Sequence, residues 1–116
     1  MIKSFEELFN NDGTYKTDER YKEIFRLDEM LTAKEIPHVF HKMMDGWQII
    51  YPEDGEKRVM DAIEHYGSYG NDQDLLEIMG LLTPEEKECD SVLGCLTADD
   101  VFSRIEKHWN ENKTVD

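Results

Sequence analysis

The stretch His38-Val39-Phe40-His41-Lys42-Met43-Met44-Asp45-Gly46-Trp47-Gln48-Ile49-Ile50-Tyr51-Pro52 carries the clearest local structural signal in the chain. Asp-Gly between two β-prone, apolar-rich runs is the preferred chemistry of a type I′ turn, whose two central residues need positive φ. With Asp45 and Gly46 as that turn, Met44 faces Trp47, Lys42 faces Ile49, and Phe40 faces Tyr51. Side chains alternate across a strand, so these six share one face, while Val39, His41, Met43, Gln48 and Ile50 share the other. The first set is larger and more aromatic and is assigned to the core, with the Lys42 ammonium reaching outward from its stem. Pro37 and Pro52 bracket the hairpin, because neither can donate to a central ladder.

Outward from the hairpin, the pattern turns helical on both sides. Ser4 to Phe9 reads as a short capped helix, closed by the turn Asn10-Asn11-Asp12-Gly13. Thr17 is the expected cap of a longer helix, with Tyr21, Ile24, Phe25, Leu27, Leu31 and Ile36 at helical spacing, running to about residue 35 and stopping before Pro37. After Pro52, Glu56 to Tyr66 reads as a second helix with Val59, Ala62, Ile63 and Tyr66 on its apolar stripe. Gly67 to Asp72 is a loop rich in turn formers. The run Leu75 to Leu82 suits a buried strand by its length and a helix by its residue types, and the strand is favoured. Thr83 to Asp90 reads as a polar connection leading to a further strand over Ser91 to Leu96. Thr97-Ala98-Asp99-Asp100 then caps a last helix that reaches about Asn110 and buries Val101, Phe102, Ile105 and Trp109. The expected fold is α+β in two layers, an antiparallel sheet of about four strands in two hairpins covered by about three helices. All 116 residues are expected to form one domain, with an N-terminal arm over residues 1–16 and a frayed tail over residues 111–116.

Composition narrows the function classes. The formal net charge is −14 while aromatics reach 10%, which fits a folded domain with an acidic surface better than a disordered acidic chain. An acidic balance argues against direct binding to nucleic acid phosphates and to anionic membranes. No run approaches a membrane span, and Cys89 and Cys95 are too few for a disulfide scaffold, so reduced thiols and a cytoplasmic location are expected.

The acidity is uneven. Residues 71–100 hold nine acids (Asp72, Asp74, Glu77, Glu85, Glu86, Glu88, Asp90, Asp99, Asp100) against Lys87 alone, so −8 of the −14 lies in this third of the chain. One reading is a solvated face that keeps the protein soluble. The other is a docking patch, centred on Asp72, Asp74, Glu85, Glu86, Glu88 and Asp90, for a protein with a basic surface. Trp47 and Tyr69 are the candidate aromatic contacts, Trp47 having the competing role of a core residue.

Other chemistry finds little support. His38 and His41 are three apart in a strand, which puts them on opposite faces, and the cysteines lack zinc-ligand spacing. Asp72 and Asp74 lack the glycine and terminal glutamate of a calcium loop, and Gly67 to Gly70 is too short to cradle a phosphate. No metal, cofactor or catalytic set is assigned, and Ser68 near His65 has no guaranteed positioning.

Ile36-Pro37, Gly46 to Pro52, Tyr69-Gly70, Leu75 to Gly80 and Leu96 to Ile105 together resemble a group of small uncharacterised proteins encoded by phages and prophages of Gram-positive bacteria. The resemblance spans roughly residues 27–108 and implies a small accessory protein inside an infected bacterial cell. In that setting the acidic patch would act as a DNA mimic that antagonises a host defence nuclease. The alternatives are a module that sequesters a small nucleotide signal near Tyr69, and a structural protein that dimerises through a strand edge.

Overall fold

The computed structural model of the chain describes residues 21–113. The described residues form, in order, α1 (Lys22–Ala33), β1 (Val39–Met43), β2 (Gly46–Tyr51), β3 (Met60–Glu64), β4 (Leu76–Met79), α2 (Pro84–Cys89), β5 (Leu93–Leu96) and α3 (Ala98–Lys113). The strands make one antiparallel meander in the order β1-β2-β3-β4-β5. This is the α+β architecture expected, with a fifth strand added. The helix expected over Ser4 to Phe9 and the cap at Thr17 lie outside the described residues.

α1 and α3 pack on each other and cover one face of the sheet. α1 contributes Ile24, Leu27 and Leu31 and α3 contributes Val101 and Ile105, all fully buried against Ile49, Ala62 and Ile78 of the central strands. The spacing of those helical residues is the apolar stripe that the sequence shows. α3 continues to Lys113, past the end expected near Asn110, and α1 stops at Ala33.

The hairpin forms with a different register from the one the Asp-Gly pair suggests. Lys42 faces Trp47, Phe40 faces Ile49 and Met43 faces Gly46, so the loop residues are Met44 and Asp45. Met44 takes the left-handed conformation, φ 54°, and is 76% exposed instead of facing the core. Gly46 is needed for space: a Cβ there would lie 1.8 Å from the carbonyl oxygen of Glu64. Asp45 anchors the loop. Its carboxylate oxygens accept from the Tyr66 amide at 3.1 and 3.0 Å, and its carbonyl accepts from the Tyr21 hydroxyl at 2.6 Å. The two faces keep their expected membership apart from Met44, because the pairing has moved by an even number of residues.

β3 occupies the middle of the stretch expected as a helix over Glu56 to Tyr66. Met60, Ala62 and Glu64 are buried on the helix-covered face, while Asp61 and Ile63 point to the other. The period is two, but a carboxylate at a core position and helix-favouring residue types conceal it. Central placement between β2 and β4 overrides those propensities. The segment Thr83 to Asp90, expected as a connection, contains helix α2.

On the face of the sheet opposite α1 and α3 a polar chain crosses three strands' worth of surface. His41 Nε2 donates to Gln48 Oε1 at 2.6 Å, Gln48 Nε2 donates to Asp61 Oδ2 at 2.8 Å, and Arg58 pairs with the same oxygen at 2.9 Å. The chain satisfies the buried Gln48 and Asp61 side chains within the sheet itself.

Candidate functional site: an acidic helix beside an apolar groove

Four residues place α2. The Thr83 hydroxyl accepts from the Glu86 amide at 3.2 Å, Glu86 Oε1 accepts from the Thr83 amide at 2.8 Å, and Pro84 starts the helix. That reciprocal pair satisfies two amides which the first turn leaves without helical partners. Arg104 of α3 then grips the Glu86 carboxylate with both ends of its guanidinium, at 2.8 and 2.7 Å, and donates to the Leu81 carbonyl at 2.8 Å. Arg104 and the Thr83 amide together hold the Glu86 carboxyl far below the usual range, at about 2. α2 is thereby strapped to α3 by a planar two-point contact.

The strap leaves a groove of about 670 Å³ between the β4–α2 connection, β5 and α3. Leu81, Leu82, Leu93 and Leu96 give it an apolar lining, and each is only half-buried. Leu81 follows Gly80 with both residues at positive φ, 55° and 102°. A leucine in that region is uncommon, and Gly80 cannot be replaced cheaply, since a Cβ would lie 2.5 Å from the Val59 carbonyl oxygen. Gly80 thus fits closely against β3, and Leu81 after it lines the groove beside α3. Lys107 and His108 stand on the α3 wall, and Asp100 and Glu111 stand nearby on the same helix. The buried Tyr51 hydroxyl and His108 Nδ1 are 2.7 Å apart with their rings edge to face, and burial pushes the phenol pKa up.

The acids singled out from the sequence do not form one patch. Residues 72–74 precede β4 and α2 follows it, so the strand separates the two groups. Asp74 has a structural job there. Its two oxygens accept from the amides of Tyr21 and Lys22, at 2.7 and 3.1 Å, and so cap α1 from fifty-three residues away. Asp72 beside it is exposed. Around α2, Glu86 is held by Arg104, while Glu85, Glu88 and Asp90 are exposed and none of the three is paired with a base among the described residues. Of the remaining acids in the stretch, the Asp100 carboxylate accepts from the amide of Thr97, the residue that caps α3, at 3.2 Å, Asp99 pairs with Arg26 at 3.1 Å, and Glu77 accepts from the Tyr69 amide at 3.0 Å.

The two aromatic candidates separate as well. Trp47 is half-buried, 5.0 Å from both the Phe25 and Phe40 rings, with the Lys42 ammonium 5.3 Å from its own ring. It helps clamp the hairpin to α1. Tyr69 is 58% exposed, and its backbone is fixed by Glu77 on one side and by the Cys95 amide, 3.3 Å from its carbonyl oxygen, on the other. It lies outside the groove.

Among the described residues no three His, Cys, Asp or Glu side chains gather as metal ligands, and no helix is long and apolar enough to cross a membrane. Sequence reasoning passed over the groove leucines and Arg104. The signal that could have found them was Thr83-Pro84-Glu85-Glu86, a capping box with proline at the first helical position, which demands a helix where a connection was expected. Comparison with protein-family models, with curated proteins and with solved structures gives no match to this chain.

Proposed function

We propose that the chain works by binding another protein through the acidic face of α2, the partner being basic at the contact. The observation that carries this reading is the combination of Glu85 and Glu88 on α2 and Asp90 just after it, exposed and without a basic partner among the described residues, with a helix whose position is fixed by the Glu86–Arg104 strap. A solubilising charge needs no such fixing, whereas a docking helix benefits from it, because fewer side chains have to be ordered on binding. The overall charge of −14 adds long-range attraction to a cationic partner and repulsion of nucleic acid from the same surface. In the phage setting implied by the sequence resemblance, the partner is a host defence nuclease and the carboxylates take the place of phosphates in its basic channel.

The test is capture from host lysate at low and high salt, with wild-type protein and with the double reversal Glu85→Lys/Glu88→Lys, after circular dichroism shows that the variant folds. Loss of the captured proteins both at high salt and in the reversal is the expected result. Capture that survives both changes removes the electrostatic reading.

A further inference from the structure

We infer that the groove beside α2 receives the apolar side chains of an amphipathic, basic segment of the partner. The inference rests on the protein-binding reading above and adds to it a second, apolar half of the contact. The groove is large enough for more than one side chain, at about 670 Å³, and its leucines are half-buried without any described element lying over them.

Charge selects the occupant. On the groove walls Glu86 and Arg104 engage each other, which leaves Asp100 and Glu111 against Lys107. The exposed residues of α2 and its C-terminal end add Glu85, Glu88 and Asp90 against Lys87. A segment with acidic flanks would be repelled from this rim, and one without charge would leave the rim unanswered. A helix with leucine-like residues on one side and lysine or arginine on the other satisfies both parts, in the helix-in-groove manner. The anionic nucleotide alternative is disfavoured by the same arithmetic, since acids outnumber bases around the opening.

Two synthetic peptides of about fourteen residues serve as probes, a helical Leu/Lys peptide and a Ser/Lys peptide of equal charge. Fluorescence anisotropy measures both against wild-type protein, the Glu85→Lys/Glu88→Lys reversal, Ser103→Trp and Ser103→Ala. Ser103 is exposed and lines the groove, so tryptophan there fills the space while the core stays untouched. The expected result is that the Leu/Lys peptide binds wild type and Ser103→Ala about tenfold or more tighter than the Ser/Lys peptide does. Ser103→Trp should abolish that preference, and the reversal should weaken both peptides. Equal binding of the two peptides to wild type, weakened by the reversal, overturns the groove and leaves the acidic contact standing. A Leu/Lys preference that persists in Ser103→Trp also overturns the groove, because the apolar contact is then elsewhere. Binding of neither peptide overturns both.

Discussion

Asp74 offers the sharpest test of how the fold is held, because a residue that the sequence marks as surface charge acts as a remote helix cap. Its carboxylate accepts the first two amides at the start of α1, where Tyr21 supplies no capping side chain of its own. Asp74→Ala removes both acceptors. Loss of a cap costs about 1 kcal/mol, with a range of ~0.5–2. Loss of a negative charge at the positive end of the helix dipole adds roughly 0.3–1 kcal/mol. Asp74 also sits at φ 58°, a conformation that aspartate tolerates better than alanine, which adds up to about 1 kcal/mol. The expected destabilisation is therefore about 2 kcal/mol, or a drop in Tm of roughly 6–12 °C at this size. Asp74→Asn keeps one acceptor and the backbone tolerance, and should lose about half as much. Asp74→Gly removes the cap while relieving the backbone, so it separates the two causes. Thermal and urea unfolding of the three variants provide the readout. If Asp74→Ala melts within about 2 °C of wild type, or if glycine restores full stability, the remote cap is not what holds α1 in place.

Two further outcomes follow from single groups. Gly46→Ala should unfold the hairpin or cost more than about 3 kcal/mol, because the new Cβ would meet the Glu64 carbonyl, whereas Gly67→Ala, with only the His65 ring at 3.6 Å, should stay within about 0.5 kcal/mol; urea titration of the pair decides it. Glu86 has a folded pKa near 2 against an ordinary 4.5, so its contribution is fully present above the unfolded value and disappears as pH falls from about 4.5 toward 2. Acid titration of stability should therefore be flatter over that window in Glu86→Gln than in wild type, and an unchanged slope would show that the Arg104 strap is not formed.

The parts of this molecule that the sequence discloses are those whose local chemistry and tertiary role agree. α3 begins at a Thr97–Asp100 capping box, buries Val101 and Ile105 fully and Phe102 and Trp109 in part, and β5 falls within the expected strand. The misreadings occur where long-range contacts decide. Gly46 looks like a turn residue, yet it is glycine because Glu64 passes over it. β3 looks helical because Glu64 occupies a core position. Asp74 and Glu86 look like free surface acids, and only the folded chain shows that one serves the amides of α1 and the other serves Arg104. The groove was illegible for a related reason. Its leucines come from β5 and from the turn after Gly80, and no spacing in the sequence indicates that α3 will stand beside them.

The central claim is that the α2 face and its groove form the binding surface, and amide chemical-shift mapping of the labelled protein against the Leu/Lys peptide tests it most directly. Shifts concentrated on residues 81–96 and on Arg104, Lys107 and His108, reduced by added salt, are the predicted result. Shifts centred instead on Tyr66, Tyr69 and the sheet face opposite α1 and α3, or none at all, would contradict it.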